Sequence, residues 1–137
     1  MKKIFLVSIL SFFLSGCWMH YNDPTPPGFN AKVTTVNNDV CVLVQPEDDE
    51  KLVTLIIMEV GNKENILKKF SINVPVSSDK CIPTYGYHFE AGKRYTFDIF
   101  LESENKLKNH VSPAVRVYGT SFILQDNNGR LASMTSS

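Results

Sequence analysis

Several ingredients of a chemical site are scarce in this chain of 137 residues. There is no excess of positive charge: Lys plus Arg and Asp plus Glu number 14 each. A nucleic-acid binder carries a basic patch or stripe, so that class finds no support. The three histidines are His20, His88 and His110. None lies three to five residues from another, and no Cys-x-x-Cys occurs, so zinc-ligand spacing is missing. No Gly-x-Ser-x-Gly elbow and no phosphate-binding glycine loop is present. The acidic run Glu47-Asp48-Asp49-Glu50 lacks the alternating carboxylates and glycine that wrap calcium, and reads as a solvated loop. Two carboxylates could still meet in space as a hydrolase pair, but nothing favours it. With no catalytic residue, metal or cofactor in view, the expectation is a protein that acts by contact and is not an enzyme.

Long apolar runs are also lacking. Ile4 to Leu14 is apolar except for Ser8 and Ser11, too short for a bilayer, which takes about 18–20 residues. Behind Lys2 and Lys3 it has the form of a secretory h-region. Leu14-Ser15-Gly16-Cys17 comes next, and it resembles the lipobox of bacterial lipoproteins. The resemblance implies a lipid on the Cys17 thiol, cleavage before Cys17 and acylation of the new amine. Several acyl chains anchor stably, at about 0.8 kcal/mol per buried CH₂. In enteric bacteria an Asp after the lipidated Cys retains a lipoprotein in the inner membrane. Trp18 stands there instead, so the resemblance implies the outer membrane, with the domain facing the periplasm. Cleavage would leave 121 residues with a side-chain charge of −2.

The expected layout follows. Residues 1–16 are the signal peptide and 17–28 the lipidated Cys and a proline-rich tether. Residues 29–124 are the folded domain and 125–137 a polar, frayed tail. The segment Asp23 to Gly28 holds three prolines and cannot continue a helix or a central strand. At about 3.1 Å per residue the tether would hold the domain roughly 30–35 Å from the lipid.

Cysteine is scarce too, with three in all. If lipid takes Cys17, then Cys41 and Cys81 remain, and an exported chain is expected to pair them. Two buried free thiols are the alternative. A catalytic thiol is not supported, because Cys41 lies in the apolar run Val40 to Val44 with no charge to lower its pKa.

The domain reads as β throughout. Strands are expected at Ala31–Val36, Val40–Gln45, Leu52–Val60, Lys93–Leu101 and Val115–Leu124, with turns at Asn37-Asn38-Asp39 and at Gly61 to Asn65. Ile66, Phe70, Ile72 and Val74 share one parity and are expected to face the core of a further strand. A helix over Glu64–Phe70 is the alternative there, and a short strand around Cys81 completes the set. About seven short strands separated by turn signals predict a single antiparallel β-sandwich. Phe89 to Ile99 resembles the E–F corner of immunoglobulin and fibronectin-type-III-like domains, with Tyr95 as the corner tyrosine whose hydroxyl bonds to upstream backbone. The alternative is that Tyr95 is simply the first core residue of its strand.

Pro83 to Phe89 clusters aromatic residues in a loop. Tyr85, Tyr87 and His88 are the candidate partner-binding residues, because exposed tyrosines give large, rigid contact area with a polar tip. The alternative is that one Tyr and Phe89 cover an end of the sandwich.

With the lipobox, the segment Cys17 to Pro24 and the Cys41/Cys81 pair together, the chain resembles small enterobacterial periplasmic lipoproteins described as type VI secretion immunity lipoproteins. The resemblance covers essentially the whole chain. It implies a lipid-anchored protein that binds and occludes a delivered toxin. The competing expectation is an envelope assembly factor, chaperone or adhesin-like module.

Overall fold

The structure is a computed structural model that describes residues 25–128 and 130–135. The strands are β1 (Gly28–Asn30), β2 (Lys32–Val36), β3 (Asp39–Leu43), β4 (Lys51–Glu59), β5 (Asn62–Lys69), β6 (Val74–Pro75), β7 (Arg94–Glu102), β8 (Val115–Asn127) and β9 (Arg130–Thr135). One short helix, α1 (Glu104–Lys108), follows β7. A seven-stranded sheet runs β1-β8-β7-β4-β5, with β6 on β4 and β9 on β8, and β2-β3 form a second sheet. The fold is an all-β sandwich, as its alternation of apolar and polar residues predicts. Its ladders are antiparallel except β1 on β8, which is parallel.

Strand parity builds the core. On β7, Tyr95, Phe97, Ile99 and Leu101 are buried while Thr96, Asp98 and Phe100 are only half-buried. Phe122 and Leu124 of β8 join them, and the small sheet contributes Val40 and Val42. On β4 an irregularity between Leu52 and Thr54 shifts the register by one residue. That shift lets Leu52 and Leu55 both reach the core despite their odd spacing.

Cys41 and Cys81 form a disulfide with Cα atoms 5.0 Å apart. No strand forms around Cys81, but Ile82 N–H donates to Val42 O at 2.8 Å, so this segment lies along β3. Tyr95 makes the expected corner. Glu90 N–H donates to its hydroxyl at 2.7 Å, five residues upstream.

Three expectations are corrected. Residues 62–65 are strand, not turn, because the β4–β5 hairpin closes through Val60 and Gly61, the latter at φ 85°. That register turns Leu67 to the core and leaves Ile66 outside. The strand stops at Lys69 and Ser71 takes φ 54°, so Phe70 is 62% exposed while Ile72 enters the core separately. Finally, the expected tail 125–137 begins as the end of β8 and returns as β9. β9 is fastened to the small sheet as well: Thr35 Oγ1 donates to Leu131 O at 2.9 Å, and Leu131 N–H donates to Asn38 Oδ1 at 2.8 Å.

Candidate protein-docking face

Cys17, Trp18 and His20 lie outside the described residues, as do residues 1–24 of the expected signal and tether. The aromatic loop is described, and it divides. Gly86 at φ 75° makes the expected turn, closed by Tyr87 N–H donating to Thr84 O at 3.0 Å. Tyr85 is exposed, with Lys69 Nζ 3.8 Å above its ring. The His88 side chain is 76% exposed and its Nε2 lies 3.3 Å from Glu90 Oε1. Tyr87 instead packs edge-on against Phe89 and Tyr95 and donates to Asn65 O at 2.8 Å. Burial, the first cause, pushes its phenol up to about 12. The loop is therefore mainly a cover on the core, and the trio expected as one anchor is not a single exposed cluster.

The acidic run is not a solvated loop either. Glu50 is 5% exposed and receives Arg116 Nε at 2.8 Å, while Arg116 Nη2 also donates to Gln45 O at 2.9 Å. Burial works to raise the Glu50 carboxyl, but the hydrogen bonds from Arg116 and the Glu47 amide, with the Arg116 charge, hold it below the ordinary carboxylate range. Asp49 accepts from Ser103 Oγ and, at 2.9 Å, from Asn105 N–H, which fixes the first turn of α1. A signal for the buried pair was present in the sequence. Arg116 shares strand parity with Phe122 and Leu124, so it had to be inward and needed a carboxylate.

The large sheet has a second face. Register places Ile56 beside Asp98 on one side and Gly119 beside it on the other. One pair along, Thr54, Phe100 and Val117 lie in a row. Met58, Thr96 and Ser121 form the row on the opposite side. Ile66 adjoins Met58 and Lys68 adjoins Ile56 on the neighbouring β5. Since the alternate residues of β7 fill the core, these point outward, and no other described strand packs over them. Met58, Ile66, Lys68 and Thr96 line an open groove of about 560 Å³ near the β4–β5 hairpin.

Asp98 is the unusual member of this face. Burial raises its pKa above the ordinary aspartate value, and no attractive contact offsets that cost. Among the described residues none forms a hydrogen bond or ion pair with it. Gly119 beside it carries no side chain, and a Cβ there would stand 3.7 Å from Asp98 Oδ1. The result is a notch: a half-buried carboxyl without a described partner, reachable over a glycine, on a face that mixes Ile56, Phe100, Val117 and Met58 with Thr54, Thr96 and Ser121. Such a notch suits a lysine or arginine brought by another protein, since a charge-assisted bond in partly dry surroundings is stronger than one in water. Parity could have placed Asp98 on the outer face, but not shown that Ile56 and Gly119 flank it there, because that depends on which strands pair.

Among the described residues, no group of three or more His, Cys, Asp or Glu is placed to hold a metal ion. No curated protein and no solved structure matches the chain. Residues 29–127, which end with the last residue of β8, match a family model described as a domain of unknown function (DUF7480). That match spans more than two thirds of the sequence, and the chain belongs to this family.

Proposed function

We propose that this is a non-catalytic, lipid-anchored periplasmic protein that binds a toxin delivered by type VI secretion and blocks it by occlusion. The lipobox and the family resemblance support the address and the class of partner. The observation that carries the contact reading is the half-buried Asp98 carboxyl, without a described partner, set between Ile56 and Gly119 on the outer face of the large sheet. An interface core joins apolar area with a few charges that find partners on binding. Burial disfavours the charged form of Asp98 in the isolated domain, and a partner's basic side chain would offset that in the complex. The toxin surface is therefore expected to present a Lys or Arg ringed by apolar residues.

The test is competition between sister cells. A strain lacking this gene should be killed by siblings with an active secretion system and survive siblings in which it is disabled. The wild-type gene should restore survival. Equal survival of the deletion strain and its parent against active siblings would overturn the proposal.

A further inference from the structure

We infer that the α1 end of the domain rests on the membrane that holds the lipid, with Leu107 and Val111 touching the bilayer surface; this rests on the acylation of Cys17 proposed above. Two observations place that end. First, Thr25 and Pro26 line the same groove as Leu107 and Val111, so the chain leaves the domain beside them. Pro27 O accepts from Val117 N–H at 3.0 Å, which fixes this exit to the start of β8. Residues 25–28 already lie on the domain, so the tether expected over 17–28 shortens to Cys17–Thr25. The expected standoff of roughly 30–35 Å is corrected to a reach of at most about 29 Å, within which the domain can touch the lipid surface. The α1 end is thus the part of the domain held nearest the lipid. Glu90, which meets Tyr95 at the start of β7, lies at the far end of that strand, about 25–30 Å away.

Second, the surface at that end has interfacial chemistry. Leu107 is 46% exposed and Val111 49% exposed. They are not on a loose segment. Ser103 caps the helix and Asp49 holds its first turn, while Val111 N–H donates to Lys106 O at 2.8 Å and His110 N–H to Leu107 O at 3.3 Å. Lys106 and His110 line the same groove as the two apolar side chains, and Lys108 follows Leu107 in sequence; Lys108 is paired with Glu104 at 2.9 Å and Lys106 stands 4.0 Å from Glu47. Exposed apolar side chains flanked by lysines sit favourably at a headgroup boundary. A stable protein interface needs a larger patch than two exposed side chains, so the bilayer is the occupant that fits.

The test uses the full lipidated protein in vesicles of phosphatidylethanolamine and phosphatidylglycerol. Intact mass first establishes whether Cys17 is acylated. Amide hydrogen exchange is then compared with that of the soluble Cys17→Ser chain. Residues 104–114 should be protected on vesicles and residues 84–93 unchanged. Leu107→Ser with Val111→Ser should lose that protection while acylation, vesicle association and thermal midpoint stay as in wild type. Acylated protein with no protection at 104–114, or with protection that survives the double substitution, overturns the inference and leaves the acylation reading intact. A chain that is never acylated overturns both.

Discussion

Phe97 and Asp98 are neighbours in sequence and lie on opposite faces of one sheet. Phe97 is 1% exposed and stacks on Phe89, with Phe122 alongside. Asp98 looks outward, half-buried, with no described partner. The inner face is satisfied throughout: even its one inward cation, Arg116, has Glu50, Gln45 and Tyr118 around it. The outer face carries a half-buried carboxyl without a described protein partner. What the difference teaches is that the two faces differ in kind: the inner one is closed by its own contacts, and the outer one is the surface to which the proposed function assigns a second molecule.

If that contrast is right, substitutions on the inner side should be costly and those on the outer side cheap. The largest effect is expected at the buried ion pair. Glu50→Ala strands Arg116 and should cost about 3–5 kcal/mol in chemical denaturation, whereas Glu50→Met with Arg116→Met should be near neutral or stabilising. The pH dependence has a definite sign. Glu50 is held below its ordinary value, so its contribution is complete above the unfolded-state pKa of about 4.3 and is lost as pH falls through the lower folded-state value.

The disulfide is next. It closes a sequence separation of 40 residues and staples the segment around Ile82 to the small sheet. Cys41→Ser with Cys81→Ser should lower stability by about 2–4 kcal/mol, read from the denaturant midpoint. Smaller again is the corner. Tyr95→Phe removes the hydroxyl that receives Glu90 N–H, and thermal unfolding should register a loss of about 0.5–1.5 kcal/mol.

The smallest effect is expected on the outer face, and it has the opposite sign. Asp98→Asn removes a carboxyl whose folded-state pKa is raised by burial. Relative to the unfolded chain, the native protein loses stability as pH rises from the unfolded-state pKa of about 3.9 to the higher folded-state value. Asp98→Asn should therefore leave stability unchanged or increase it at pH 7, and any advantage should vanish near pH 4. A clear destabilisation at pH 7 would mean that Asp98 has a structural role and would erase the contrast between the faces.

Much of the inner face was legible in the sequence. The alternation of Tyr95, Phe97, Ile99 and Leu101 is a local, period-two signal, and the Tyr95 corner depends on residues only five apart. Cys41 and Cys81 were readable by elimination. What escaped depends on contacts far apart in the chain. Glu50 and Arg116 are separated by 66 residues, so a run of four acidic residues looked like a solvated loop. The phase of β5 is not legible, because one turn, Val60-Gly61, decides which parity faces inward. β9 reads as a tail because its fastening to Thr35 and Asn38 crosses more than 90 residues. The aromatic loop drew attention as a contact site by composition alone, and packing assigns Tyr87 to the core's cover. The outer face is the least legible: its rows of residues exist only once β4, β5, β7 and β8 are laid side by side.

The most direct measurement places Asp98→Arg at the chromosomal locus and repeats the sister-cell competition. Membrane abundance and thermal midpoint of the variant are compared with wild type in the same cells. The account predicts wild-type abundance and stability with protection lost against secretion-competent siblings, while Tyr85→Ala, at the far loop, keeps full protection. Full protection by a stable Asp98→Arg protein would contradict the assignment of the outer sheet face as the docking surface.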